Sequence, residues 1–154
     1  MHVAIASDHR GFQLKKELIQ QYYELTDPVI WDDLGPDHYQ PDDDYIDYAV
    51  KLVEYLKSHL EIEKGVLLCG AGVGMSIVAN RFIGIRCGLA ISPPQVTKAR
   101  NDDDINVLAI GSEYVSVNNA RIMIEQFLKT PFSGLERYKN RLDKLRILEE
   151  GKNG

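Results

Sequence analysis

The chain has 154 residues, 44% apolar and 27% charged, with a formal net charge of −5 at pH 7. That length buries a sizeable core, and the acidic balance excludes the concentrated positive field of a nucleic-acid surface. No apolar run is long enough to span a bilayer and the N-terminus carries no export signal, so a cytoplasmic location is expected.

Short apolar runs alternate with longer amphipathic ones. HVAIAS (2–7) predicts a buried strand, and GFQLKKELIQQYYEL (11–25) a helix with Phe12, Leu14, Leu18, Ile19 and Tyr22 near helical spacing. PVIWDDL (28–34) predicts a second strand. GPDHYQPDDD (35–44), with two prolines and Asp37, Asp42, Asp43 and Asp44, predicts a loop. YIDYAVKLVEYLKSHL (45–60) predicts a helix with Ile46, Ala49, Val50, Val53 and Leu56 on one face. GVLLC (65–69) is a third strand, and GVGMSIVANRF (72–82) opens a helix. IRCGLAI (85–91) is a fourth strand, and PPQVTKARN (93–101) a short helix entered through prolines, which suit a first turn. NVLAIGS (106–112) is a fifth strand, VNNARIMIEQFLK (117–129) a helix, and GLERYKNRLDKLRILEE (134–150) a charged C-terminal helix before a frayed end.

Strand and helix alternating five times imply a parallel sheet covered on both faces with right-handed crossovers. Ligands of such sheets bind at the carboxyl ends of the strands. The residues to read are therefore Ser7 to Arg10, Cys69 to Gly74, Ser92-Pro93 and Gly111-Ser112.

The second of these turns, Cys69-Gly70-Ala71-Gly72-Val73-Gly74, sets a thiol at the mouth of a glycine loop. Its amides and the following helix N-terminus would stabilise an anion and lower the thiol pKa, making Cys69 a competent base or nucleophile. The plain alternative is a tight turn behind a buried cysteine. The spacing is not that of a dinucleotide fingerprint. Asp8-His9 offers a hydroxyl ligand and a proton shuttle, or only a helix cap beside an incidental histidine. Arg137 and Arg141, four apart, could grip a phosphate or belong to a solvated face. Asn101 to Asp104 is an acidic segment that could contact substrate hydroxyls or be only a solvated loop or helix end. Cys87 reads as core. Two unpaired thiols and scattered histidines predict neither a disulfide nor a metal site.

Together these segments resemble the ribose-5-phosphate isomerase B family, which includes the galactose-6-phosphate isomerase subunits. The resemblance rests on SDHRGF (7–12), DYIDYA (44–49), CGAGVGMSIVAN (69–80), GIR (84–86), NDDDINVLAIGS (101–112) and RYKNRLDKL (137–145). It implies a Rossmann-like three-layer α/β sandwich with a five-stranded parallel sheet. One domain over 1–150 is expected, its C-terminal helix (about 134–149) packing on a partner. It implies a homodimer or homotetramer with sites between subunits, a phosphosugar substrate and no cofactor or metal. The implied reaction is aldose–ketose isomerisation in the pentose phosphate pathway, of ribose 5-phosphate to ribulose 5-phosphate, through an enediolate with Cys69 as base. Gly70, Ala71, Gly72, Val73 and Gly74 would supply amides for the enediolate oxygens. Asp8 and His9 would contact hydroxyls or phosphate, and Arg137 and Arg141 would hold the phosphate.

Two departures stand out. The family's threonine after the first loop glycine is Ala71. Its histidine and asparagine before the fifth strand, the histidine assigned to opening the sugar ring, fall at Asp102 and Asp103. Asp102 as a catalytic proton donor requires a raised pKa, toward which its acidic neighbours push, while Asp103 is carried over as a substrate contact. The alternatives are an isomerase of an open-chain phosphosugar and a non-catalytic sugar-phosphate-binding subunit.

Overall fold

The computed structural model describes residues 1–22 and 29–151. Strands β1 (His2–Ser7), β2 (Ile30–Asp33), β3 (Gly65–Cys69), β4 (Cys87–Ala90) and β5 (Val107–Gly111) form one parallel sheet in the order β2-β1-β3-β5-β4. The helices are α1 (Phe12–Tyr22), α2 (Tyr45–Ser58), α3 (Val73–Ala79), α4 (Pro93–Asp103), α5 (Val117–Lys129) and α6 (Glu136–Gly151). The predicted three-layer α/β architecture is present. The expected ends of the first helix (23–25), the start of the second strand (28) and the frayed terminus (152–154) lie outside the described residues.

Alternation along the central strands builds two cores. Val3, Ile5, Val66, Leu68, Leu108 and Ile110 face α1, α4 and α5, while Ala4, Ala6, Leu67, Cys69, Val107 and Ala109 face α2 and α3. Each fully buried leucine here contributes about 1.5–3 kcal/mol. The central strands are apolar on both sides because helices cover both faces.

Boundaries differ from expectation where side chains take over backbone pairing. The helix expected to run to residue 82 stops at Ala79. Asn80 donates from Nδ2 to the Ser76 and Cys87 carbonyls and accepts the Cys87 amide, so it ends α3 and pins the start of β4. The amide of Arg86 donates to Asn106 Oδ1, so the edge strand begins at Cys87, two residues after the expected start. Cys87 is partly buried against the α2–α3 core, and burial pushes its thiol up to about 12.

The crossovers define the functional end. The helices that follow β1 and β5 lie on one face, and the helix that follows β3, which runs between those strands, lies on the other. The chain therefore parts on both sides of Cys69, opening a crevice at the carboxyl end of β3. Gly72 starts α3 at φ +76°, a left-handed conformation, and a Cβ there would lie 2.5 Å from Leu89 Cδ1 and 2.9 Å from the Gly111 amide nitrogen.

Candidate active site

Cys69 ends β3 with 5% exposure, and the Gly72 amide donates to its sulfur at 3.1 Å. The expected lowering of its pKa is not found. Burial raises the thiol, and the charge of Asp8 adds to the rise. The amides of Met75, Gly72 and Ala71 pull the other way and do not prevail. A helix of seven residues, α3, offers little dipole, and the sulfur sits in the α2–α3 core, away from water. A raised pKa moves thiolate formation to higher pH. Alkylation by iodoacetamide is therefore expected to show a midpoint above the ordinary cysteine value of about 8.5. A midpoint at or below that value would show that the amides outweigh burial.

Asp8 is 4% exposed. Its amide donates to the Leu68 carbonyl, which fixes it beside the last residue of β3, and its carboxylate accepts the Gly11 amide at 2.9 Å ahead of α1. The capping role is thus real. Burial raises its pKa, with the Gly11 amide and His9 opposing.

His9 meets a partner 34 residues away. Asp43 Oδ1 accepts the His9 amide at 2.9 Å and lies 2.7 Å from Nδ1. The Asp43 side chain is 5% exposed, and the Tyr48 hydroxyl lies beside its carboxylate, where burial and the charge of Asp43 raise the tyrosine pKa. Asp43 precedes Asp44, whose carboxylate caps α2 through the Ile46 amide. The next residue, Tyr45, lays its ring against Gly74, where a Cβ would come within 2.7 Å. His9, Asp43, Tyr45, the glycine loop and Cys69 therefore share one mouth.

Arg10 belongs to it too. Its guanidinium packs on the backbone of Gly70, leaving no room for a Cβ, and its charge reaches Asp8 and Cys69. Arg10 Nε donates to Glu113 at 2.6 Å, which raises the guanidinium pKa. The Glu113 amide donates to the Gly70 carbonyl, and Ser112 Oγ to the Arg10 and Cys69 carbonyls. These bonds hold the ends of β1, β3 and β5 together.

The remaining candidates lie at the other end of the sheet. Helix α4 runs back to the amino ends of the strands, where the Asn106 carbonyl accepts the amide of Gly65, the first residue of β3. Four strand steps, about 13 Å, separate that level from Cys69. Asp102 is there, paired with Lys98 at 3.2 Å and accepting from Asn101 at 2.9 Å. Asn101, then Lys98 and Tyr138, hold its carboxyl below the usual range. The raised pKa that a proton-donating Asp102 needs is therefore absent; a neighbouring cation and donors outweigh the acidic run. Tyr138 gathers the arginines, with Arg137 and Arg141 at 4.7 and 5.3 Å from its ring centroid. Asp103 and Arg141 share the lining of a groove of about 600 Å³ between α6 and β4.

The expected site residues thus fall into two separate groups, Asp8, His9, Cys69 and the loop at the carboxyl end of the sheet and Asp102, Asp103, Arg137 and Arg141 at the amino end. Reading the sequence missed Asp43, Tyr45 and Glu113 and passed over Arg10, although the strand-end rule had already pointed at that position. Among the described residues no group of three or more His, Cys, Asp or Glu side chains could hold a metal ion, and no helix is long and apolar enough to cross a membrane.

A family model described as Ribose/Galactose Isomerase matches residues 3–145. The chain is 32% identical to ribose-5-phosphate isomerase B of Escherichia coli, covering 98% of each chain. Its structure superposes with a TM-score of 0.87 on ribose-5-phosphate isomerase B from Mycoplasma genitalium with bound ribulose-5-phosphate. Those two chains are 34% identical, with 97% and 96% covered. The type B enzyme of Trypanosoma cruzi gives a TM-score of 0.90 at 36% identity, with 98% and 97% covered.

Proposed function

The chain belongs to the ribose/galactose isomerase family, and from that membership we propose that it interconverts ribose 5-phosphate and ribulose 5-phosphate with Cys69 as the base. The observation that carries the chemistry is a thiol at the end of β3 receiving a backbone amide from a glycine loop, with Asp8 near enough to act on it.

In the open-chain aldose, the Cys69 thiolate takes the proton from C2. The C–H electron pair becomes the C1=C2 bond of an enediolate, and the carbonyl pair moves onto O1. The loop amides and the Arg10 guanidinium stabilise that oxygen and the thiolate. The thiol returns the proton to C1, the O2 hydroxyl proton passes to O1, and C2 becomes the ketone. The buried thiol must ionise first, and Arg10 favours that step.

The phosphate is held by Arg137 and Arg141 of a second copy, because this chain's own pair stands at the amino end of the sheet. The protein acts as a homo-oligomer, with α6 laid on a partner and Asp102 and Asp103 delivered to the partner's mouth. Leu135, Leu145, Ile147 and Leu148 are exposed on or beside α6, which suits such packing. Two free thiols suit a reducing, cytoplasmic compartment.

The test is turnover of ribose 5-phosphate by the purified chain, beside a tetrose 4-phosphate, which cannot close a furanose ring. Turnover of the pentose supports the proposal. Turnover of the tetrose alone would favour an isomerase of open-chain substrates, the reading suggested by an Asp102 held ionised. Binding without turnover of either would make the chain a non-catalytic subunit.

A further inference from the structure

The sheet sets β3 between β1 and β5, so the residues that follow those two strands flank the end that carries Cys69. Arg10 comes from the β1 side and Glu113 from the β5 side. Arg10 Nε donates to Glu113 Oε1 at 2.6 Å, and Nη2 pairs with the same oxygen. The pair thus spans the crevice at Gly70, the residue after the thiol. Both side chains are about half exposed, and an ion pair so open to water contributes little to stability.

Its geometry points to the loop instead. A Cβ on Gly70 would lie 2.4 Å from Arg10 Cζ and Nε and 2.8 Å from Nη1, so the guanidinium covers the loop backbone. Glu113 takes Nε and Nη2, and no hydrogen bond to Nη1 is found among the described residues. Nη1 therefore keeps two N–H donors beside a loop that can bind an oxyanion. A guanidinium does not lose its charge, so the variable is where that charge stands. A long side chain keeps one place only when something holds it. Glu113 is itself fixed, because its amide donates to the Gly70 carbonyl at 3.1 Å. The other groups around the thiol do not favour its ionisation. Burial raises Cys69, and the charge of Asp8, nearly sealed at the end of β1, adds to the rise. His9 is engaged with Asp43, beside which the Tyr48 hydroxyl stands, and Tyr45 lies against Gly74 further along the loop. Arg10 is the cation in contact with this set: Glu113 first, then Asp8 and Cys69, raise its pKa.

We propose that Glu113 is a positioning residue, holding Arg10 over Gly70 so that Nη1 meets the oxyanion formed beside Cys69; this rests on the isomerase reading above. Arg10 is the catalytic residue of the pair, and Glu113 acts through it. The same placement sets a fixed positive charge beside the thiolate before substrate arrives.

The experiment is a double-mutant cycle. Glu113→Ala, Arg10→Met and the double variant are compared with wild type, with folding checked by circular dichroism. Glu113→Gln is added because it keeps an acceptor for Arg10 Nε. Two quantities are read: kcat and KM for ribose 5-phosphate, and the pH midpoint of iodoacetamide alkylation at Cys69, followed on its peptide by mass spectrometry. Glu113→Ala is expected to lower kcat about 100-fold with KM within about threefold of wild type. The double variant is expected to be no worse than Arg10→Met, and Glu113→Gln to recover part of the loss. The Cys69 midpoint is expected to move up in Glu113→Ala, because the cation leaves the thiolate. If Glu113 only screened the charge of Arg10, its removal would move the midpoint down. That fall, an undiminished kcat in Glu113→Ala, or losses that multiply in the double variant overturns the assignment. A wild type that does not turn over ribose 5-phosphate removes the isomerase reading, and the direction of the midpoint shift then decides alone whether Glu113 places Arg10.

Discussion

Cys69→Ala is expected to lower kcat for ribose 5-phosphate about 1,000-fold while leaving the fold in place. General acid–base groups contribute about 10²–10⁴-fold, and a factor of 10³ is about 4 kcal/mol of transition-state stabilisation. Alanine keeps the buried, small side chain that the α2–α3 core needs at the end of β3 and removes only the sulfur that faces the Gly72 amide. The cost to stability is therefore about 1 kcal/mol, which a thermal melt resolves from loss of catalysis. Undiminished turnover in the folded variant would remove Cys69 as the base.

The second large effect concerns the division of the site. Arg137→Ala with Arg141→Ala removes both cations that flank Tyr138, and kcat/KM is expected to fall about 100-fold, mostly through KM, with the loss of charge-assisted phosphate contacts. Mixing subunits of this variant with Cys69→Ala subunits and letting them reassort should restore activity. In a two-fold symmetric pair, half the assemblies are mixed, and each mixed pair has one intact mouth of two. Recovery approaches about a quarter of wild type. A mixture no more active than its components would show that one chain completes its own site.

Much of this was legible in the residues. The runs VAIA, VLLC and VLAI are too short and too continuous for amphipathic helices, and they became β1, β3 and β5. The cysteine before three glycines marked the crevice because the loop must follow a strand there. What the sequence hid was long-range or depended on burial. Asp43 stands in a run of three aspartates that reads as a solvated loop, and only the fold sets it against His9. The dipole argument for Cys69 saw the helix but not the core that closes around the sulfur. The acidic run at 101–104 suggested mutual repulsion, yet Lys98, one turn earlier, and Asn101 decide the state of Asp102. Arg10 stood among the strand-end residues but was given no role, because nothing local in the sequence shows that the β5 loop fastens it over Gly70.

The strand order also bears on how the chain comes together during synthesis. β3 pairs with β1 on one side and β5 on the other, and β4 pairs with β5 alone. Until Val107 to Gly111 leave the ribosome, β4 has no strand to pair with, and β3, apolar on both faces, presents an open edge. The insertion of β5 closes that edge, seats β4 and brings Ser112 and Glu113 to the Cys69 turn. The mouth and the sheet are thus completed in one late, non-local step, the kind that sets folding rate.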